Sequence, residues 1–181
     1  MLLHAALLWM TSTSFAGELA GVKMADTLAH PSGTELVLNG MGLREKWWID
    51  VYVGGLYLPA KSSDAKAILA SDSPRRVVMD FIYSKVSQAK MIGVFKDGLA
   101  KVPEAAAMTE ETNQLVSWID RDVVRGDKVV LDYTPGTGLT FSVNGTAKGT
   151  IASKAFADGI FAIFIGPDPA SDQLKQGMLG R

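Results

Sequence analysis

The sequence lacks cysteine, has few histidines and carries no surplus of either charge. None of its 181 residues is cysteine, which excludes disulfides, thiolate zinc sites, iron–sulfur clusters and cysteine nucleophiles. The 18 basic and 19 acidic side chains give a net charge of −1, so there is no basic excess to bind a nucleic-acid backbone. The two histidines, His4 and His30, are too few for a histidine-rich metal site. We therefore expect no metal, no other cofactor and no nucleic-acid partner.

The sequence also lacks an apolar run long enough to cross a membrane as a helix. The apolar run within residues 1–16 is interrupted by His4 and followed by small polar residues. Ser14 and Ala16 suit a signal peptidase that cuts after Ala16, so residues 1–16 are predicted to be a signal peptide. They contain no Lys or Arg, and the alternative interpretation is an N-terminal core element. We expect residues 17–181 to be one exported domain, periplasmic or secreted, monomeric and without an integral membrane segment.

Strand patterns occur in two groups along the chain. Apolar residues make up 48% and charged residues 20%, which is typical of a globular domain. The first predicted strand ends at a turn formed by Asn39 and Gly40, and the second bends at Gly54-Gly55. Short connections favour antiparallel pairing of most of these strands. The six predicted strands are residues 34–38, 47–58, 76–83, 127–133, 139–143 and 148–151.

Helical periodicity occupies the segments between and after the strands. The third predicted helix begins at Pro103 and continues to Ile119, and the fourth is apolar nearly all round, so we expect it to be buried. Strands, helices, a strand meander and a final helix together predict an α+β domain with helices packed on one face of an antiparallel sheet. The five helices are predicted to begin at or just after Asp64, Ser87, Pro103, Ser153 and Ser171.

A Gly-x-Gly segment precedes an arginine at residues 40–44. A dinucleotide-binding loop would need a third glycine and a following helix, whereas a strand follows here, so the glycines are interpreted as a bend between two strands. In the second strand, alternation places Val51 and Val53 on the core face, with Trp48 and Tyr52 on the other face or in a cleft. These residues leave two interpretations of Arg44 open: a solvated surface charge, or an anion site formed with Tyr52.

Several short segments, in order, resemble the chalcone isomerase superfamily. Together the similarity extends from Asp26 to Leu179 and is greatest to the bacterial, exported chalcone isomerase-like group. The resemblance implies an open-faced β-sandwich, in which a large antiparallel sheet is covered by a layer of helices with a ligand cleft between them. The segments that carry it are residues 36–44 (LVLNGMGLR), 51–58 (VYVGGLYL), 76–79, 132–136, 143–145 and 164–166.

The resemblance to the plant enzymes implies a catalytic role for Arg44. There, an arginine in this segment stabilises the substrate oxyanion while an intramolecular addition closes a ring. Arg44 matches that arginine and would be the catalytic residue of an isomerase of the intramolecular lyase type. The family threonine falls on Tyr52, the family tyrosine near Ala89 or Lys90, and a substrate-contacting hydroxyl residue near Ala157. The other catalytic positions are therefore changed in this chain.

A second branch of the superfamily, the plastid fatty-acid-binding members, matches the chain better. In that branch the same arginine and a tyrosine on the next strand hold a fatty-acid carboxylate, and Arg44 and Tyr52 match both positions. Trp48 shares the parity of Tyr52 along the strand and is therefore included in the predicted ligand site. An apolar sleeve for the ligand tail would be lined by Met91, Phe95, Ile160 and Phe164.

The leading hypothesis is therefore non-catalytic binding of a small acidic amphiphile, such as a fatty acid, with Arg44 and Tyr52 as the carboxylate anchor. One alternative is an isomerase that closes an enone or chalcone-like substrate, with Arg44 stabilising the oxyanion. The other is an exported structural or interaction module whose cleft is filled by its own side chains.

Overall fold

The structure, a computed structural model, describes residues 15–181, with side chains from residue 17 onward. The predicted signal peptide therefore lies almost wholly outside the described residues. Phe15 and Ala16, its last two residues, begin the first strand.

A seven-stranded antiparallel sheet forms the centre of the fold. The strands are β1 (Phe15–Leu19), β2 (Val22–Ala25), β3 (Thr27–Ala29), β4 (Glu35–Lys46), β5 (Ile49–Leu58), β6 (Arg75–Phe81), β7 (Lys85–Val86), β8 (Val123–Val124), β9 (Lys128–Thr134), β10 (Gly138–Val143) and β11 (Thr146–Ile151). The large sheet has the order β11-β10-β9-β6-β5-β4-β3, and all its neighbouring strands are antiparallel. β1 pairs with β2, and β7 with β8, as two small separate sheets.

Six helices are described, and most begin where the sequence indicates. Side-chain oxygens of Ser87, Ser153 and Ser171 accept hydrogen bonds from the backbone N–H three residues on, as N-caps do. The apolar helix after Ser153 is buried along most of its length, as predicted. The helices are α1 (Ala65–Ala70), α2 (Gln88–Ala100), α3 (Pro103–Ala106), α4 (Thr109–Ser117), α5 (Lys154–Ile165) and α6 (Asp172–Met178).

The sheet is covered on both faces, unequally. The larger core lies between the sheet and the helices, and α5 is at its centre. A smaller core on the opposite face holds Val53 and Tyr57 of β5 against Val22 and Met24 of β2. The predicted α+β class, a large antiparallel sheet with a helical layer, is confirmed.

The predicted turn at Asn39-Gly40 is wrong, because β4 continues through it to Lys46. Asn39 is instead an extra residue in β4 where the register with β5 shifts. Its amide donates to the Met178 carbonyl oxygen over 2.8 Å and accepts from the Ser62 N–H over 2.7 Å. The polar residue that suggested a turn thus lies in a bulged strand and forms hydrogen bonds with the backbone of a helix and of a loop.

The Gly-x-Gly segment gives α6 a place to dock on the sheet. A Cβ on Gly40 would lie 2.2 Å from the Gly177 carbonyl oxygen, and one on Gly42 would lie 2.2 Å from that of Leu174. The absence of side chains therefore lets helix backbone approach strand backbone. The predicted bend at Gly54-Gly55 is likewise not found there: these glycines lie within the regular part of β5.

The single helix predicted from Pro103 to Ile119 is two helices. α3 ends after Ala106 and α4 begins at Thr109. α3 packs against α2 and α5, whereas α4 packs against α2 and β11. Both halves share α2, but the second partner differs, so tertiary packing overrides the continuous periodicity of the sequence.

Candidate functional site

Arg44 and Tyr52 lie opposite each other near the turn of the β4–β5 hairpin. They are direct partners in the antiparallel ladder, and Tyr52 is also the partner of Phe81 on β6. The Tyr52 and Phe81 rings are 5.2 Å apart between centroids, with their planes tilted by 47°. The sheet register thus fixes the arginine and the tyrosine beside each other, with an aromatic neighbour behind the tyrosine.

A β-bulge turns the side chains here toward the helical layer. Between the pairs Arg44–Tyr52 and Glu45–Asp50, β5 has one more residue, Val51, than β4. Val51 and Tyr52 consequently line the same cavity instead of opposite faces. The simple alternation that assigned Val51 and Val53 to one face fails at this point, and Tyr52 belongs to the main core while Val53 belongs to the smaller one.

A cavity of about 540 Å³ opens between this end of the sheet and α2. Buried Tyr52, Met79, Phe81 and Met91 form its inner part. Exposed apolar side chains surround its mouth: Trp47, Ile49, Tyr83 and Val94. We call this cavity the Arg44 cleft. It has an apolar interior, an aromatic rim and a charged group at its edge, as small-molecule sites commonly do.

Positive charge predominates around the Arg44 cleft. Its charged lining residues are Arg44, Lys46, Lys85, Lys90 and Asp97. The Arg44 guanidinium donates through Nη1 to the neighbouring Glu45 carbonyl oxygen over 2.6 Å. No ion pair among the described residues involves Arg44, so its charge is not neutralised by a carboxylate there.

Tyr52 is a protonated hydrogen-bond donor at neutral pH. Burial raises the pKa of its phenol well above the ordinary value, and the charge of Arg44 opposes this only in part. Arg44 and Tyr52 together therefore offer a guanidinium fork and a phenol O–H, both of which donate. Such a pair suits an oxygen that carries negative charge.

Comparison with known proteins identifies the family. The model of one protein family, described as chalcone isomerase-like, matches residues 16–180. The chain belongs to the chalcone isomerase-like family. No curated protein sequence matches it. Among solved structures, it is similar to a fatty-acid binding protein of Arabidopsis thaliana, with 18% identity and a TM-score of 0.64 over 84% of this chain and 95% of that one. This likeness shows a shared fold.

The structure brings some of the predicted site residues of this chalcone isomerase-like chain together. Arg44, Tyr52 and Met91 line the cleft. Trp48 does not; it occupies the hairpin tip and is 89% exposed, and its neighbour Trp47 lines the cleft mouth instead. The predicted sleeve residues Phe95, Ile160 and Phe164 are buried in the main core and do not line the cleft.

Several cleft residues were not indicated by the sequence. Met79 and Phe81 reach the cleft because β6 pairs with β5, and the alternating pattern of β6 was the only signal that their side chains share a face. Which of the two adjacent tryptophans faces the cleft depends on the hairpin turn between β4 and β5. The sequence alone gave no register for that turn.

A second, larger cavity of about 670 Å³ lies at the other end of the helical layer, between α1, α3 and α5. Its charged lining residues are Lys66, Lys101, Glu104, Asp158, Asp168 and Lys175. Lys101 is 3.1 Å from Asp168, and Lys175 donates to the Gly166 carbonyl oxygen over 2.7 Å. Asp158 accepts from buried Arg75 and from Lys154. Most charges of this α5 cavity are therefore already partnered within the fold.

Two further observations describe this family member. Over residues 15–181, no cluster of three or more His, Cys, Asp or Glu side chains is placed to hold a metal ion. None of the helices in this part of the chain has the length and apolar character needed to cross a membrane.

Proposed function

We propose that this chain binds a fatty-acid-like carboxylate in the Arg44 cleft without chemical conversion, with Arg44 and Tyr52 as the anchor of the head group. The observation that carries the proposal is the pairing of an arginine that lacks a carboxylate partner, among the described residues, with a buried phenol donor. A carboxylate placed between them would gain a charge-assisted fork and a third hydrogen bond.

The apolar part of the cleft supports an aliphatic tail. Its inner wall is formed by Met79, Phe81 and Met91, which are nearly inaccessible to water in the folded chain. A volume of about 540 Å³ lies within the usual range of small-ligand pockets, roughly 300–1,000 Å³. Methionine adapts its shape readily, so two methionines in the wall suit tails of more than one length.

The fold likeness to a fatty-acid binding protein agrees with this proposal, which rests on the chain's own residues. The isomerase alternative has one observation in its favour, the match of Arg44 to the family arginine. Against it, Tyr52 replaces a small hydroxyl residue with a ring packed on Phe81, which takes up space that a bicyclic product would need. Chalcone turnover no faster than in buffer would agree with binding; clear acceleration would favour the isomerase.

The direct test is titration of the protein with dodecanoate and with dodecanol, the neutral ligand of equal tail length. Arg44→Met keeps much of the apolar stem and removes the charge. We expect it to weaken dodecanoate binding about 30-fold, which corresponds to roughly 2 kcal/mol for a charge-assisted hydrogen bond, and to leave dodecanol binding unchanged. Arg125→Met, which removes an arginine outside the Arg44 cleft, is the matched control. Equal dodecanoate affinity in wild type and Arg44→Met would contradict the anchor.

We also propose that the chain is exported and functions as residues 17–181. The support is the apolar run and the small residues at Ser14 and Ala16. N-terminal sequencing of protein recovered outside the cytoplasm tests this, and a first residue at Gly17 is expected. Protein that remains in the cytoplasm with its first sixteen residues intact would contradict it.

A further inference from the structure

Exposed large apolar side chains are concentrated at one end of the molecule. Four of them, Trp47, Ile49, Tyr83 and Val94, surround the mouth of the Arg44 cleft, and Trp48 adjoins Trp47 at the hairpin tip. The two tryptophans are 75% and 89% exposed. The full set among the described residues is Trp47, Trp48, Ile49, Tyr83, Val94 and Val124. A contiguous exposed apolar group of this kind is characteristic of an interaction surface.

The tryptophans occupy positions where folding favours other residues. Lys46 and Ile49 are paired across the hairpin, so Trp47 and Trp48 form its two-residue turn. Their φ angles are 54° and 63°, the left-handed conformation that a type I′ turn requires and that Asn-Gly adopts readily. The same fold uses Asn144 and Gly145 in its β10–β11 hairpin. Neither the turn nor the core needs two tryptophans at this tip.

Cationic side chains without an ion-pair partner in the described chain lie beside the tip, on the cleft side of the hairpin. Arg44 and Lys46 line the cleft, together with Lys90 of α2, and none of the three belongs to an ion pair among the described residues. Asp50 lies on the opposite side, in a groove whose other charged lining residues are Lys23, Asp80, Arg125 and Lys128. The face that carries the aromatic mouth is therefore cationic and complements an anionic surface.

We propose that the Trp47–Trp48 tip docks on an anionic lipid bilayer, with the two indole rings at the head-group level and the cleft mouth facing the lipid. Tryptophan prefers the membrane interface because its ring is amphipathic, and neighbouring lysines are attracted by acidic head groups. Its purpose, transfer of a fatty-acid-like ligand between bilayer and cleft, rests on the proposed function. The docking itself does not require a bound ligand.

The test is co-sedimentation of the full chain with vesicles, in the absence of fatty acid. Phosphatidylglycerol vesicles are compared with phosphatidylcholine vesicles, at low salt and in about 1 M NaCl. We expect tighter binding to phosphatidylglycerol, weakened by salt because screening removes the attraction of the lysines. The variant Trp47→Asn/Trp48→Gly installs the residues that the turn favours, so it is expected to unfold at no lower temperature than wild type. It should bind phosphatidylglycerol at least about 100-fold more weakly, because two large aromatic side chains are lost.

Lysine pairs provide the matched control. Lys46→Gln/Lys90→Gln should weaken binding to phosphatidylglycerol roughly 30-fold, whereas Lys61→Gln/Lys66→Gln, with the same change of net charge outside the cleft, should not. All variants keep the same N-terminal residues, so any contribution from these cancels.

Three results would overturn the docking proposal. They are vesicle binding that is unchanged in the tip variant, equal loss in both lysine pairs, and a dimer in solution that the tip variant abolishes while vesicle binding is absent. Failure of the proposed function is a separate result: wild-type protein that binds vesicles but no dodecanoate would retain the docking and refute the ligand.

Discussion

The two cavities at opposite ends of the helical layer differ in whether their charged side chains have partners within the fold. The α5 cavity is the larger, about 670 Å³ against about 540 Å³ for the Arg44 cleft. Its carboxylate Asp158 is held by Arg75, a fully buried guanidinium whose carbon also lies 4.6 Å from the Tyr133 ring centroid and 4.7 Å from that of Phe161. The Arg44 cleft, in contrast, has an arginine without a carboxylate partner in the described chain.

The larger cavity is therefore not the one whose charged side chains lack partners within the described chain. Most charges beside the α5 cavity are partnered within the fold, and Arg75 needs Asp158 to compensate its burial. Beside the Arg44 cleft, Arg44, Lys46 and Lys90 have no ion-pair partner among the described residues and remain available to a ligand or a surface. Substitutions at the α5 cavity should therefore change the free energy of unfolding, whereas substitutions at the Arg44 cleft should change binding.

The largest expected effect is on stability at the α5 cavity. Asp158→Ala leaves buried Arg75 without its carboxylate and should lower the free energy of unfolding by about 3 kcal/mol, the lower end of the range for breaking a buried pair because Asp158 is 30% exposed. Urea unfolding measures this. The control Lys101→Ala removes an exposed pair with Asp168 and should change stability by less than about 1 kcal/mol. Loss of dodecanoate affinity in Asp158→Ala without loss of stability would contradict this assignment, because it would connect the α5 cavity with binding.

Next in size is the effect of filling the Gly-x-Gly segment, which precedes Arg44 in β4. Gly42→Ala places a Cβ 2.2 Å from the Leu174 carbonyl oxygen and should cost about 2 kcal/mol of stability, by forcing α6 away from the sheet. Gly93→Ala is the matched control, because a Cβ there meets nothing within 4 Å and alanine favours its helix. Thermal unfolding should move in opposite directions for the two. A neutral Gly42→Ala would show that close packing does not explain the motif.

A smaller effect separates two tyrosines on β5. Tyr52→Phe removes the proposed carboxylate donor and should weaken dodecanoate binding about fivefold, as expected for one hydrogen bond of roughly 1 kcal/mol. Tyr57→Phe removes a hydroxyl that donates to the Ala25 carbonyl oxygen over 3.0 Å on the other face of the sheet. It should lower stability by about 1 kcal/mol and leave dodecanoate affinity unchanged. If Tyr57→Phe weakened dodecanoate binding and Tyr52→Phe did not, the ligand would lie on the face of the sheet that carries Tyr57.

The smallest effect concerns pH and a group outside both cavities. His30 is buried with Nε2 3.4 Å from an Asp132 oxygen, and burial lowers the pKa of its imidazole despite that carboxylate. The unfolded chain therefore binds a proton first as the pH falls, so stability should decline below about pH 6.5. His30→Gln should reduce this decline, by up to about 1 kcal/mol between pH 7.5 and 5.5 in urea unfolding. An identical decline in the variant would assign it to other groups.

Local signals in the sequence predicted much of the fold. Ser87, Ser153 and Ser171 cap helices as expected, and Asn144-Gly145 turns the β10–β11 hairpin with φ angles of 50° and 79°. These features depend on the conformational preferences of a few adjacent residues. They are therefore readable without knowledge of the tertiary structure.

Features that depend on partners distant in the chain were predicted less well. The bulge at Val51 follows from the register of three strands, and the break between α3 and α4 follows from their different packing partners. The sequence identified Arg44 and Tyr52 as candidates through family resemblance. It also assigned Phe95 and Ile160 to the cleft, although both side chains fill the core. Apolar side chains that line a void and those that fill it share the same pattern.

The most direct test of the account is native mass spectrometry of the protein as purified, with solvent extraction of what accompanies it. We predict that wild-type protein carries an acidic lipid and that Arg44→Met does not, while Asp158→Ala that remains folded still does. A wild-type protein that is empty and also takes up no added fatty acid would show that the Arg44 cleft is not a carboxylate-binding site.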